Sequence, residues 1–169
     1  WNKQIEEIEI LFQTLSKILE KNHNLQIIIK SHPRDDVEFV RAIVREVIPN
    51  SVVFGEEINT YELVCACDVV ITKTSTVGFE AMVLGKPVIC FDFIGQLDRN
   101  EYVSNGVAIG VSDVGELELA IKNTMENQDV MKDLRNLQKQ YVRDFGFKQD
   151  GHASKRVANL IYNMIEESN

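Results

Sequence analysis

The chain has 169 residues, 44% hydrophobic and 26% charged, with 18 Lys and Arg against 26 Asp and Glu, a formal net charge of −8. Length and balance predict one globular domain over residues 1–169 with a single core, and the acidic excess argues against a nucleic-acid partner. No apolar run approaches the roughly 20 residues needed to span a bilayer, so no transmembrane segment is expected, and the polar, acidic N-terminus is unlike a signal peptide.

The first predicted element is a helix, with Ile5, Ile8, Leu11, Phe12, Leu15, Ile18 and Leu19 at steps of three and four. It stops near Asn22–Asn24, and Leu25–Ile29 reads as a buried strand. Pro33 ends regular structure. Asp35–Val47 returns to helical spacing, and Ser51–Phe54 is a second strand closed by Gly55. Asn59–Cys67 is a short helix, Asp68–Thr72 a third strand, Ser75–Leu84 a helix ending at Gly85, and Pro87–Phe91 a fourth strand. Val107–Val111 is a short fifth strand. Helices follow over Val114–Asn127, Val130–Asp144 and Ala153–Glu166. Cys65, Cys67 and Cys90 lie in apolar segments and read as buried thiols of a reducing compartment, and no metal is expected from Cys65-Ala66-Cys67.

Strands alternating with helices, and middle strands apolar throughout, predict an α/β fold: an open, doubly wound, Rossmann-like parallel sheet with extra C-terminal helices. The chain begins on a helix where such domains begin on a strand, so it is expected to be a fragment with a strand or a whole domain before it.

Ligands of such sheets bind beyond the C-terminal strand ends. Lys30, His32, Arg34, Lys73 and Arg99 fall there, which predicts a positive pocket for a phosphorylated ligand on a negative body. Thr74-Ser75-Thr76-Val77-Gly78 joins a strand to a helix. Its free N–H groups, including those of Thr76 and Gly78, and the helix dipole suit an anion, and Ser75 or Thr76 can add a hydroxyl. Gly78, without a Cβ, admits a ligand to the backbone or lets the helix pack closely on its neighbours. The stretch has neither GxGxxG nor a P-loop. Glu80 is the single charge in an apolar helical turn. Val77, three residues before it, cannot complete a capping box. An ion pair or a ligand's hydroxyl pair, such as a ribose, remains to satisfy the carboxylate. No residue presents itself as catalytic.

Lys30-Ser31-His32-Pro33, Ala66–Thr72, Ser75-Thr76-Val77-Gly78-Phe79-Glu80-Ala81-Met82 and Leu84–Ile89 together resemble the C-terminal half of two-domain GT-B glycosyltransferases, especially bacterial and archaeal enzymes of surface or capsule polysaccharide synthesis. The resemblance runs from about Ile27 to Ile161, including Asp150-Gly151-x-x-Ser154-x-Arg156. CDP-glycerol glycerophosphotransferases and non-hydrolysing UDP-N-acetylglucosamine 2-epimerases share the architecture. It implies the donor-nucleotide half of a glycosyltransferase, inactive alone. Its partners would be a UDP- or CDP-linked sugar donor, an absent N-terminal acceptor domain, and a polysaccharide or lipid-linked acceptor. It also implies a cytoplasmic location at the inner face of the membrane and no separate cofactor.

By the same resemblance Ser75, Thr76 and Gly78 meet the diphosphate, Glu80 holds the ribose, and His32, Lys30 and Arg34 line the phosphate side. The Gly55–Ile58 loop lies near the base. Glu80-Ala81 stands where the epimerases have two adjacent acids, and Asp98-Arg99-Asn100-Glu101 matches their Arg-rich segment poorly. Thr74 replaces an aromatic residue of the glycerophosphotransferases.

Overall fold

The computed structural model describes residues 2–93, 95, 100–146 and 148–167; Asp98, Arg99 and the side chain of Ile5 lie outside it. Helix α1 (Asn2–Lys21) opens the chain. Its buried stripe is Glu7, Leu11, Phe12, Leu15 and Ile18, whereas Ile8, expected in the core, is 39% exposed. Residues 7, 11, 15 and 18 repeat at helical spacing, so the stripe passes through an acid.

The chain then runs through β1 (Ile28–Lys30), α2 (Val37–Val47), β2 (Val52–Phe54), α3 (Thr60–Ala66), β3 (Val70–Thr72), α4 (Thr76–Val83) and β4 (Val88–Phe91). It continues as α5 (Glu101–Ser104), β5 (Ile109–Val111), α6 (Val114–Glu126), α7 (Gln128–Gly146) and α8 (Ala153–Glu167). Every strand pairing is parallel, as each helical crossover requires. The strands hydrogen-bond as two ladders, β1-β2 and β3-β4-β5, where the sequence predicts one sheet. One apolar cluster nevertheless takes Ile29 from β1, Val53 from β2, Ile71 from β3 and Ile89 from β4, so side-chain packing joins the two ladders into a layer.

Strand β4 shows why the central strands read as apolar throughout. Its four residues are buried and alternate between two cores. Ile89 and Phe91 enter the cluster with α1, α2 and α6, while Val88 and Cys90 enter the one with α4 and α7. A strand covered on both faces loses the period-two polarity of a half-exposed one.

Local chemistry sets the helix ends. Asp36, Asn59, Ser75, Asn100 and Asp113 each cap a helix by accepting a backbone N–H. Helix α4 stops at Gly85, whose φ of 69° suits a residue without a Cβ. Gly85 N–H donates to the Met82 carbonyl and Lys86 N–H to the Ala81 carbonyl, the paired bonds of a Schellman ending. The thiols differ from expectation: Cys90 is buried, Cys67 half-buried and Cys65 exposed, all without disulfides. Cys65 faces outward because α3 buries Leu63 and Val64, the preceding residues of its turn. Among the described residues no helix is long and apolar enough to cross a membrane.

Candidate functional site

In a parallel ladder every strand delivers its following loop to the same edge. After β3 the chain turns through Lys73, Thr74 and Ser75 into α4. Ser75 takes extended backbone angles and its Oγ accepts the Val77 N–H at 3.3 Å. Its carbonyl accepts the Gly78 N–H at 3.0 Å. The expectation of a free Gly78 N–H is therefore corrected, since the helix's own first turn uses it. The Thr76 N–H has no partner among the described residues, and Thr74 and Thr76 are exposed. The anion-binding capacity of this helix start is narrowed to the Thr76 N–H, two hydroxyls and the dipole behind them.

Gly78 is buried, and a Cβ there would meet Tyr102 Cε2 at 2.7 Å. Its missing side chain is filled by the Tyr102 ring, so of the two readings of this glycine the close-packing one describes the structure. Tyr102 also donates its hydroxyl to the Ser75 carbonyl at 3.2 Å. Asn100 caps α5 and donates Nδ2 to the Lys73 carbonyl at 2.7 Å. Helix α5 thus clamps the 73–78 turn from outside. Sequence periodicity misses it because four residues make barely one turn; the available signal was Asn100 followed by Glu101, a cap before an acid.

Glu80 is partly exposed and makes no side-chain hydrogen bond or ion pair among the described residues. Among the described residues, then, no ion pair satisfies this carboxylate. Its neighbours on α4, Gly78, Ala81 and Met82, are buried.

Lys73 departs most from expectation. It pairs with Glu7, which is 2% exposed, and lies 3.8 Å from Asp92, itself buried. Glu7 further accepts the Phe93 N–H at 2.8 Å. A carboxylate so buried needs a counter-charge and donors, and Lys73 is recruited to it. The lysine assigned to a positive pocket is neutralised from α1, and Arg99 lies outside the described residues. The sequence signal for the cluster was an acid on the apolar stripe of α1.

The turn after β1 holds the remaining cations. Asp35 accepts the His32 N–H at 2.9 Å and the Ser31 hydroxyl at 3.4 Å. His32 is exposed, and its Nδ1 accepts the Arg34 N–H at 3.1 Å, which leaves Nε2 as the donor of a neutral ring. Lys30 donates to the Ser31 carbonyl at 3.2 Å, and neither Lys30 nor Arg34 makes an ion pair among the described residues. The structure thus brings Ser75, Thr76, Gly78 and Glu80 onto one turn and Lys30, His32 and Arg34 onto another. No described hydrogen bond or ion pair joins the two.

In the Gly55–Ile58 loop Glu57 pairs with Arg41 at 2.6 Å. The Gly55 N–H, foremost among several donors, holds the Glu57 carboxyl below its ordinary range. Among the described residues no group of three or more His, Cys, Asp and Glu is placed to hold a metal ion. A groove of about 590 Å³ lies between α6 and α7, lined by Thr124, Met131, Lys132, Arg135 and Lys139 among others. It contains none of the predicted residues and lacks their hydroxyl-rich helix start, so the candidate site is placed at the strand ends.

Comparison with known proteins gives a family match and a likeness of fold. A family model described as "Capsule polysaccharide biosynthesis protein" matches residues 3–94. Among solved structures, the crystal structure of a UDP-N-acetylglucosamine 2-epimerase aligns with a TM-score of 0.60 at 16% identity, over 85% of this chain and 43% of that one. The chain thus spans under half the epimerase's length, and at that identity the likeness is one of fold: Rossmann-like α/β of the GT-B kind. No curated protein matches the sequence.

Proposed function

Since the chain belongs to the capsule polysaccharide biosynthesis family, whose model matches more than half of it, we propose that it is the donor-nucleotide half of a glycosyltransferase building a cell-surface polysaccharide. The observation that carries this reading is the α4 start. The N–H of the exposed residue Thr76, with no partner among the described residues, and two threonine hydroxyls stand at a positive helix end. A turn further on is a carboxylate with no partner among the described residues. The diphosphate of a UDP- or CDP-linked sugar takes the first, and the ribose hydroxyls take Glu80. His32 Nε2–H, Lys30 and Arg34 serve the phosphate side.

In the reaction, an acceptor hydroxyl on a polysaccharide or lipid-linked chain attacks the anomeric carbon. The bond from that carbon to the diphosphate oxygen breaks, and negative charge grows on the departing nucleotide. Preoriented donors aimed at that charge lower the barrier more than they tighten donor binding. The acceptor's proton leaves to a base outside this chain, on an N-terminal acceptor domain, so the half-cleft is inactive alone. The working compartment is the cytoplasm, at the inner membrane face.

Titration calorimetry of the full natural polypeptide with UDP and CDP tests the reading. One of the two binds the wild type, and Glu80→Ala weakens that binding about tenfold, or ~1.4 kcal/mol, with thermal stability unchanged because the carboxylate makes no hydrogen bond or ion pair among the described residues. Equal affinity in the variant removes Glu80 from the ribose. The fold likeness to an epimerase favours a second reading, 2-epimerisation of UDP-N-acetylglucosamine. Incubation with that sugar nucleotide and no acceptor, followed by NMR, yields the epimer under the second reading and unchanged donor under the first.

A further inference from the structure

The handedness of the crossovers fixes how the two ladders lie. Helices α1 and α2 bury Leu11 and Val44 in the cluster on one side of the layer. Helices α3, α4 and α5 send Val64, Met82 and Tyr102 into the cluster on the other side. Crossovers between parallel strands are right-handed, so helices on opposite faces carry the chain in opposite directions. The step β1-α2-β2 runs one way. The steps β2-α3-β3, β3-α4-β4 and β4-α5-β5 run the other. The order across the layer is therefore β2, β1, β3, β4, β5, with β1 and β3 as the inner edges of their ladders. Helix α1, on the same face as α2, enters β1 from the β3 side.

The facing edges carry hydrogen-bonding groups that the ladders do not use. The Val52 N–H donates to the Ile27 carbonyl at 3.3 Å and the Ser31 N–H to the Phe54 carbonyl at 2.9 Å. By alternation the N–H and C=O of Ile28 and Lys30 point away from β2, toward β3. The Val70 N–H donates to the Pro87 carbonyl at 3.0 Å, so the N–H and C=O of Ile71 point away from β4, toward β1. Among the described residues no strand pairs with either edge. Both strands are half-buried along their length, whereas β4 is buried throughout. Edges of this kind are templates for another strand, because backbone groups inside a native sheet are almost always paired.

We propose that a further parallel strand fits between β1 and β3, and that the segment preceding Trp1 in the same polypeptide supplies it. Helix α1 starts where such a strand would end. Glu7, in the second turn of α1, pairs with Lys73 just past β3 and accepts the Phe93 N–H at 2.8 Å just past β4. The first turns of α1 thus stand at the edge where the parallel strands finish. The added strand, α1 and β1 then make one more right-handed crossover, on the face where α1 already packs. In a doubly wound sheet this is the place where the strand order reverses, and ligands bind beyond it. The loop from the added strand into α1 emerges between the 30–34 and 73–75 turns, the two parts of the candidate site that no described hydrogen bond or ion pair joins. A strand covered on both faces is apolar throughout and free of proline, so the segment carries one such run. The proposal does not depend on the reaction assigned to the α4 cleft, and nucleotide binding there is a separate measurement.

Residue-resolved hydrogen exchange and cysteine pairing on the full natural polypeptide test it. The wild-type amides of Ile28, Lys30 and Ile71 exchange at least about a hundredfold more slowly than in an unstructured peptide. Cysteines are placed one at a time through the dozen or so residues before Trp1. With Ile71→Cys they close a disulfide at alternate positions of one apolar run, because neighbouring strands hold Cα atoms about 5 Å apart. Ile29→Cys with Ile71→Cys does not cross-link, since the strand between keeps them two strand spacings, about 10 Å, apart. Fast exchange at the three amides overturns the proposal. So does a disulfide between Ile29→Cys and Ile71→Cys, which means that β1 and β3 pair directly. Protected amides with no cross-link to the segment before Trp1 overturn it as well, because another segment or another chain then fills the place.

Discussion

Lys73 and Gly78 sit two and three residues from Ser75 on either side of it, and each is set by a contact far away in sequence. Lys73 carries the right charge at the right strand end to greet a phosphate, yet its ammonium is committed to Glu7 and faces Asp92. A buried carboxylate costs several kcal/mol without compensation, more than a solvated lysine gains by waiting for a ligand. Gly78 answers to Tyr102. That ring cannot retreat easily, since its hydroxyl holds the Ser75 carbonyl and its edge packs on Tyr141 at 6.2 Å between centroids. Gly78→Ala gains about 1 kcal/mol of helix propensity but forces a methyl to within 2.7 Å of the ring. Overpacking of about 1–3 kcal/mol outweighs the gain, so thermal denaturation of the variant shows a lower midpoint. A midpoint at or above wild type shows the ring to be mobile.

At the scale of elements, caps and stops were readable and packing partners were not. Asn59, Ser75 and Gly85 lie where their chemistry predicts, because a cap satisfies N–H groups within three residues of itself. Helix α6 shows the same locality with a measurable consequence. Asp113 accepts the Gly115 N–H at 2.7 Å, and Glu116 accepts the Ser112 and Asp113 N–H groups at 2.8 and 3.2 Å. The Ser112 N–H first, then that of Asp113, holds the Glu116 carboxyl below its ordinary range. A depressed folded-state value means stabilisation that is present above the ordinary carboxylate range and lost as the pH falls through the folded value. Glu116→Gln therefore lowers the melting temperature at neutral pH, and the gap to wild type closes in acid. A gap that persists at low pH assigns the effect to geometry and not to charge. Helix α5 was invisible for the opposite reason, since its four residues are held by the 73–78 turn and not by any pattern of their own.

At the scale of the molecule, β4 is the keel. It pairs with β3 and β5 and sends alternate side chains into two separate cores. Ile89 is fully buried, so Ile89→Ala costs about 2–5 kcal/mol. The loss is read as a shift in the denaturant midpoint at constant slope. A cost under about 1 kcal/mol shows that the layer recloses around the gap. Burial on both sides also governs Cys90, whose thiol is pushed up to about 11 by desolvation. Raised above its ordinary value, it stays protonated as the unfolded thiol ionises, so its contribution to stability falls as the pH climbs between those values.

The sequence alone determined the order of strands and helices, the parallel pairing, the doubly covered central strand and the turn that opens α4. Each rests on periodicity or on contacts a few residues long, which a linear reading contains in full. Tertiary structure decided which charges remain available at the strand ends, which glycine serves packing, how the strands divide into ladders, and that α8 shows an apolar face outward. Those outcomes depend on side chains such as Glu7 and Lys73, or Gly78 and Tyr102, meeting across many residues. The free energy of burying one is defined only once its distant partner is in place.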